Sequence, residues 1–495
     1  MLRNLLVCLS LLMGAAMALE AQNVVTSTAK DTKGVSLTIY NQNFAVVREN
    51  RQISLKEGVN FVRYEDVAAQ IDPTSISFKS LTAPNAVAVR EQNYQYDLLN
   101  PTSILNKSVG KTVRFKQVHP DGKVEILEGT LLNPPTAAMV GQTDAGGGGT
   151  VYQGLVMRLK DGRIVLNPTG QIELTELPEG LVSRPSLLWK LDVDKAGTHD
   201  TQVSYIANGI TWKADYVAVV NKDENMVDLT GWVTIDNRSG ATYSDAQLQL
   251  LAGDVRRVQE APGMGGVPMD AMVMKRAAAP QFEEEAFFEY HLYTLQRTTT
   301  VRDNETKQMT LLSASDVKVT RKLVLDAGRR WWIQGIRGPG MGSDTENVKL
   351  NIVVELRNTK ENNMGMPLPK GKVRLYKADD RGNLQFLGED LIDHTPKDEL
   401  VRLYIGDAFD VVGERKRTDY KQISDRVIEE TYEITVRNRK ETDADVWIVE
   451  HFWGEWQILN NSHPYNKLDA RTIEFPAKVE RNGAVKVTYT VRMRW

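Results

Sequence analysis

The sequence predicts an all-β protein. Three observations carry that prediction: period-two alternation through most of the chain, Asp-Gly pairs at hairpin spacing, and scarce helical periodicity. The cleanest alternation closes the chain, where Val485, Val487, Tyr489, Val491, Met493 and Trp495 are separated by Lys486, Thr488, Thr490, Arg492 and Arg494. Leu350, Ile352, Val354 and Leu356 repeat the pattern, as do Val227, Leu229, Val233 and Ile235. Successive side chains of a strand point to opposite faces, so each run implies one buried face and one wet face. The expected architecture is tandem β domains, with a small SH3/Sm-like barrel inserted between an N-terminal β unit and a C-terminal immunoglobulin-like β-sandwich region.

The elements follow in order. Residues 1–21 read as a signal peptide: Arg3 gives a positive start, Leu5 to Met13 is nearly all apolar, and Ala16-Met17-Ala18 is a small-x-small cleavage pattern. Cleavage is expected near Ala18 or Ala21, which implies an exported protein of the periplasm or outer envelope. The apolar run is too short to span a bilayer, and no later stretch reaches the length of a membrane helix. Cys8 is the only cysteine, so a cleaved chain has no disulfide, thiolate metal site or cysteine nucleophile. Residues 22–100 are expected to form the N-terminal β domain. In 101–182, Asp121-Gly122 and Asp161-Gly162 mark tight hairpins between short strands, and Gly146–Gly149 reads as part of an inserted loop. Residues 183–495 are expected to hold the sandwich region, interrupted by a mobile, Gly-, Pro- and Met-rich excursion at 261–285.

Several segments resemble a known family. They are Ile39-Tyr-Asn-Gln-Asn-Phe44, Glu91-Gln-Asn-Tyr94, Trp212-Lys-Ala-Asp-Tyr216, Ser239-Gly-Ala-Thr-Tyr243, Pro367-Leu-Pro-Lys-Gly371, Gly388-Glu-Asp390 and His394-Thr-Pro396 with Asp398-Glu399. They resemble bacterial exported proteins of a domain-of-unknown-function family, number 4139, whose C-terminal half is shared with the mucoidy inhibitor A proteins. The resemblance implies bacterial origin, export and a β-rich fold, and it supplies no catalytic residues. The coiled-coil heptads of the mucoidy inhibitor branch are missing from this sequence.

Chemistry-bearing clusters are few. Asp390, Asp393, His394, Asp398 and Glu399 offer oxygen and imidazole ligands that could hold a divalent cation if one loop turned them inward. Met264, Met269, Met272 and Met274 offer thioethers of the kind that select Cu(I). Each set also has a plainer reading, as a polar turn and as an unconstrained loop. His199-Asp200, His394 and His451 are the histidines best placed to join a Ser-His-Asp relay, although no Gly-x-Ser-x-Gly elbow is present. Gly146–Gly149 lacks the Lys-Ser/Thr of a phosphate loop, and no cofactor is expected. Trp331-Trp332 and the run His451-Phe452-Trp453-Gly454-Glu455-Trp456 place large rings close together, either as core or as a stacking platform.

A formal charge of −3 without a basic block argues against nucleic acid. The reading that results is a non-catalytic envelope protein that binds a protein or polymer. The alternatives are a hydrolase of an envelope polymer with a spatially assembled site, and a periplasmic metal-binding protein.

Overall fold

A computed structural model describes residues 24–118, 122–142, 148–253, 255–256, 281–326 and 345–495. The leader, the four loop methionines and Trp331-Trp332 lie outside the described residues. Among those described, strands dominate, and the only α-helix is Pro101–Lys107.

The strands repeat one five-stranded unit four times. In each unit the second strand lies antiparallel between the first and the fifth, while the third pairs antiparallel with the fourth. Repeat one uses Thr32–Tyr40, Phe44–Leu55, Gly58–Glu65, Ser186–Val193 and Gly197–Asn208. Repeat two uses Ile210–Val220, Met226–Asn237, Tyr243–Ala252, Thr299–Val301 and the first part of Glu305–Asp326. Repeat three uses the rest of that strand, then Thr345–Arg357, Gly371–Ala378, Leu384–Ile392 and the first part of Leu400–Ser424. Repeat four uses the remainder, then Val427–Asn438, Ala444–His451, Thr472–Val479 and Ala484–Arg494.

Each repeat's fifth strand therefore continues as the first strand of the next. This explains why Glu305–Asp326 runs for 22 residues and Leu400–Ser424 for 25, far beyond the usual strand of about six. Between repeats one and two the shared strand is broken by Gly209, whose φ of 76° lies in the left-handed region that glycine tolerates.

A second rule locks neighbours together. The third strand of each repeat pairs in parallel with the first strand of the repeat before it. Gln247–Leu251 lies beside Ser36–Tyr40, Gly371–Lys377 beside Ala214–Val220, and Val446–Val449 beside Leu323–Asp326. In repeat one, Val24–Ser27 lies in parallel beside Phe61–Tyr64.

Three of the four units turn the corner after the second strand on a fully buried asparagine: Asn237, Asn358 or Asn438. Asn438 Nδ2 donates to the carbonyls of Thr442, Val479 and Glu480, and its Oδ1 accepts the Lys440 N–H. Asn237 makes the equivalent bonds to Ala241, Val301, Arg302 and Ser239. Asn358 does so to Met366, Pro396 and Gly365. The chain leaves the ladder at these corners, and one amide supplies the partners that the buried backbone groups would otherwise lack.

This arrangement changes the expected domain boundaries. The strands between residues 24 and 95 are not a separate unit, because they share sheets and a single apolar core with strands 186–295. Alternation marks a strand but not its partner, and here the partners lie more than a hundred residues away. A second core, including Ile434, Ile448, Phe475 and Tyr489, lies in repeat four and takes in Leu323, Leu325 and Leu350 from repeat three. Phe282–Phe287 pairs with Tyr290–Leu295, so the end of the segment expected to be a mobile loop is an edge strand.

The connection between the third and fourth strands of repeat one carries a helix and a separate sheet. Asn100 caps the helix through the Ser103 N–H, with Pro101 at the first helical position. Five antiparallel strands follow, with Thr112–Val118 and Val124–Leu131 at the centre of the sheet. Phe115, Leu131 and Met157 fill a core of its own. Ile164–Leu166 and Gln171–Leu174 lie at opposite ends of the ladder and do not pair, so the sheet is open where a closed barrel was expected. The unit's two ends meet at Leu98 and Val182, with the Leu99 N–H donating to the Val182 carbonyl at 2.9 Å.

Candidate functional site

The acidic cluster does not converge. Asp390 lies on the edge strand Leu384–Ile392, where its two oxygens accept the N–H groups of Tyr404 and Leu391. Asp393, His394, Asp398 and Glu399 are spread along the crossing from that strand to the next. Lys397 lies 3.7 Å from Asp398, and the Glu399 carbonyl accepts the Asn358 N–H. Among the described residues no three His, Cys, Asp or Glu side chains are grouped to hold a metal. The Asp390 oxygens are taken by backbone N–H groups, and the carbonyls of Asp393 and Glu399 accept from the Thr395 hydroxyl and the Asn358 N–H.

His394 points elsewhere, into a junction of the motif segments. Its Nδ1 accepts the Lys370 N–H at 3.2 Å, and Asn41 Nδ2 lies 3.5 Å from its Nε2. Leu368 and Thr395 exchange both backbone bonds across the junction. Tyr216 and Tyr293 donate to the carbonyls of Pro369 and Pro367 at 2.8 and 2.9 Å. Burial holds both phenols well above their ordinary pKa, so they act as donors at any ordinary pH. Segments around Asn41, Trp212–Tyr216, Pro367–Gly371 and His394–Pro396 thus meet where repeats one, two and three touch. The chemistry they form there is a structural seam.

Two histidines make relay-like contacts. Ser80 Oγ lies 2.9 Å from His199 Nδ1, but both side chains are buried and His199 Nε2 faces the Lys195 carbonyl. Asp200 instead bonds Gln52. His451 comes closer to a catalytic pattern. Its Nε2 is 3.1 Å from Asp326 and its Nδ1 is 3.2 Å from the Thr472 hydroxyl. The hydrogen bond that Nε2 donates to Asp326 raises the imidazole pKa against the opposing effect of burial. Asp469, nearby, is held below the usual carboxylate range, first by the Arg471 N–H and then by the Thr472 hydroxyl. Thr472 is buried and its hydroxyl is shared between these neighbours, so it is a poor nucleophile for a bound substrate. Sequence reasoning named His451 but missed Asp326 and Thr472, because strand pairing across more than a hundred residues brings Asp326 beside it.

The aromatic run divides between core and surface. Phe452 packs on Trp456 with centroids 4.9 Å apart, and Trp453 packs on Trp495 at 4.8 Å. Gly454, with φ at 64°, separates the two tryptophans, so neighbouring rings can serve different contacts.

The fold and its seams define an all-β protein of fused, strand-sharing repeats. The chain belongs to the family described as domain of unknown function DUF4139, whose profile matches residues 201–452. That span runs from the fifth strand of repeat one to just past the third strand of repeat four. No curated protein matches the sequence.

Proposed function

We propose that this protein is an exported, non-catalytic scaffold of the bacterial cell envelope that binds an envelope protein or polymer through its inserted unit. One observation carries the reading. Residues 101–182 have their own helix, sheet and core, and both ends of the unit meet at a single crossing beside Leu98 and Val182. A folded unit set into a connection adds nothing to the core it leaves, and function in such insertions comes from what they present. Its leading helix and central hairpin suit an opened SH3/Sm-type sheet, and the repeats suit immunoglobulin-like sandwiches. The motif segments support kinship with the mucoidy inhibitor A proteins.

The direct experiment joins Asp97 to Ser183 through a short linker, removing the unit, and compares both mature chains for co-sedimentation with isolated envelope. The shortened chain should fold and stay in the supernatant, while the full chain pellets. Equal pelleting of the two would overturn the role of the unit. Recovery of intact Met1 from an envelope fraction would overturn export with loss of the leader.

The second reading is a hydrolase, favoured by the Asp326–His451–Thr472 geometry. It requires that Thr472→Val abolish turnover of an envelope polymer while leaving the fold intact. A metal-binding role for the Asp390–Glu399 segment would need a partner to gather ligands that the fold holds apart.

A further inference from the structure

A hairpin between the third and fourth strands of repeat two carries an outlier at its tip. Phe282–Phe287 pairs with Tyr290–Leu295 as far as Phe287 opposite Tyr290, so the loop is two residues, Phe288 and Glu289. Phe288 takes the first loop position with φ at 58°. Glycine or asparagine ordinarily stands there, because the left-handed region strains a side chain, and a bulky one most of all. Among the described residues, nine of the eleven non-glycine positions with positive φ are Asn or Asp, and Phe288 is the one aromatic.

Little in the fold offsets that strain. The Phe288 ring is 87% exposed, and the Tyr290 ring lies 6.5 Å away between centroids. Phe287 beside it is 53% exposed. The base of the hairpin, by contrast, is fixed. Phe282, Leu292, Tyr293 and Leu295 are buried, and Gln249–Ala252 pairs with His291–Thr294. Tyr290 approaches Gly253 so closely that a Cβ there would meet its ring at 2.3 Å. A rigid base therefore holds two phenylalanines in water, at a loop that glycine would form more easily. Strain retained where no packing requires it marks a functional position, and large rings are the usual anchors of protein interfaces.

The charge around the tip selects the occupant. Glu283, Glu284, Glu285 and Glu289 flank the two rings, and 281–295 contains no lysine or arginine. Glu284 Oε1 lies 2.6 Å from His291 Nδ1. Glu283, Glu285 and Glu289 are exposed, and the first two alternate onto the same strand face as Phe287. An anionic lipid surface repels such carboxylates, and an uncharged apolar pocket would desolvate Glu289 without pairing it.

We propose that Phe287-Phe288 is an anchor for a partner protein, whose apolar pocket receives the rings and whose rim carries lysine or arginine opposite Glu283, Glu285 and Glu289. The rings supply buried apolar area, and the carboxylates set orientation and choice of partner. This assignment stands independently of what the inserted unit binds.

The first probe is β-cyclodextrin carrying amines on its rim, an apolar cavity ringed by positive charge. With fluorophenylalanine at position 288 of the full chain, it should shift the fluorine resonance. It should bind roughly fivefold tighter than unsubstituted β-cyclodextrin, the gain expected from two or three exposed ion pairs. That advantage should shrink at about 0.5 M salt. Phe288→Gly, followed by calorimetry, should lose the binding while the urea midpoint stays unchanged or rises, a result that a packing role for the ring does not allow. A photoreactive phenylalanine at 288, irradiated in the producing cells, should trap a protein segment with lysine or arginine beside apolar residues. The proposal is overturned by a lower midpoint for Phe288→Gly or by equal affinity for the two cyclodextrins. Irradiation that yields no adduct, a lipid adduct or a dimer of this chain would overturn it equally.

Discussion

Replacing Asn438 by alanine tests whether the buried corner amide holds the fourth repeat together. Its two amide protons serve three carbonyls, at 2.8, 3.2 and 3.2 Å, and its oxygen accepts the Lys440 N–H at 3.0 Å. The side chain is fully buried, so water cannot replace these bonds without opening the corner. Two donated bonds and one accepted bond at roughly 1 kcal/mol each give a loss of about 3 kcal/mol. Asn438→Asp should cost more, because a carboxylate donates nothing and faces three carbonyl oxygens. The assay is urea unfolding of the mature chain, read by tryptophan fluorescence, with hydrogen exchange localising the loss to residues 411–494. A change under about 0.5 kcal/mol for Asn438→Ala, the usual size of an inert surface substitution, would refute the reasoning.

Other outcomes follow from single contacts. Gly388→Ala would place a Cβ 2.2 Å from the Ile405 carbonyl oxygen at φ 155°, whereas nothing lies within 4 Å at Gly406. The first should lower stability by roughly 2–3 kcal/mol and the second by less than 1 in the same urea assay. His451 has its pKa raised above the ordinary 6.5 by Asp326, so its stabilisation is complete below that value and lost as pH rises through the folded-state pKa. The melting temperature of wild type relative to His451→Gln should therefore shrink from pH 6 upward through that range, and a difference that grows would refute the pairing. Deleting Val485–Trp495 removes Val487, Tyr489, Val491 and Met493, each at most 3% exposed. At about 1.5–3 kcal/mol per side chain, repeat four should unfold, seen as loss of exchange protection from residue 427 onward.

Local chemistry was legible in the sequence where it depends on neighbours along the chain. The alternation of Val485–Trp495 gave both the strand and its buried face, and the strand is central, paired with Val427–Arg437 on one side and with Glu455–Asn461 on the other. Asp161-Gly162 marked a real hairpin, with Gly162 at φ 90°. What stayed hidden was pairing at long range, which carries no local mark. Phe44–Leu55 reads like any amphipathic strand, yet its neighbour Gly197–Asn208 lies beyond an inserted unit. The repeat did leave a trace. Ile235-Asp-Asn237, Leu356-Arg-Asn358 and Val436-Arg-Asn438 each place an apolar residue two before the corner asparagine. That self-similarity, sought before individual motifs, points to a repeated unit. The Asp390–Glu399 segment shows the opposite failure: density of ligand-type residues in sequence gave no convergence, because a crossing between layers needs its carboxylates and turns for backbone groups.

The most direct test of the scaffold reading is photo-crosslinking in the native envelope from position 126, an exposed residue of the inserted unit at 56% exposure. A photoreactive residue replacing Ile126 should form an adduct with an envelope protein or polymer. The yield should be unchanged when His451→Gln and Thr472→Val are added to the same chain. Absence of any adduct from position 126, together with loss of an envelope-polymer hydrolysing activity in the doubly substituted chain, would contradict it.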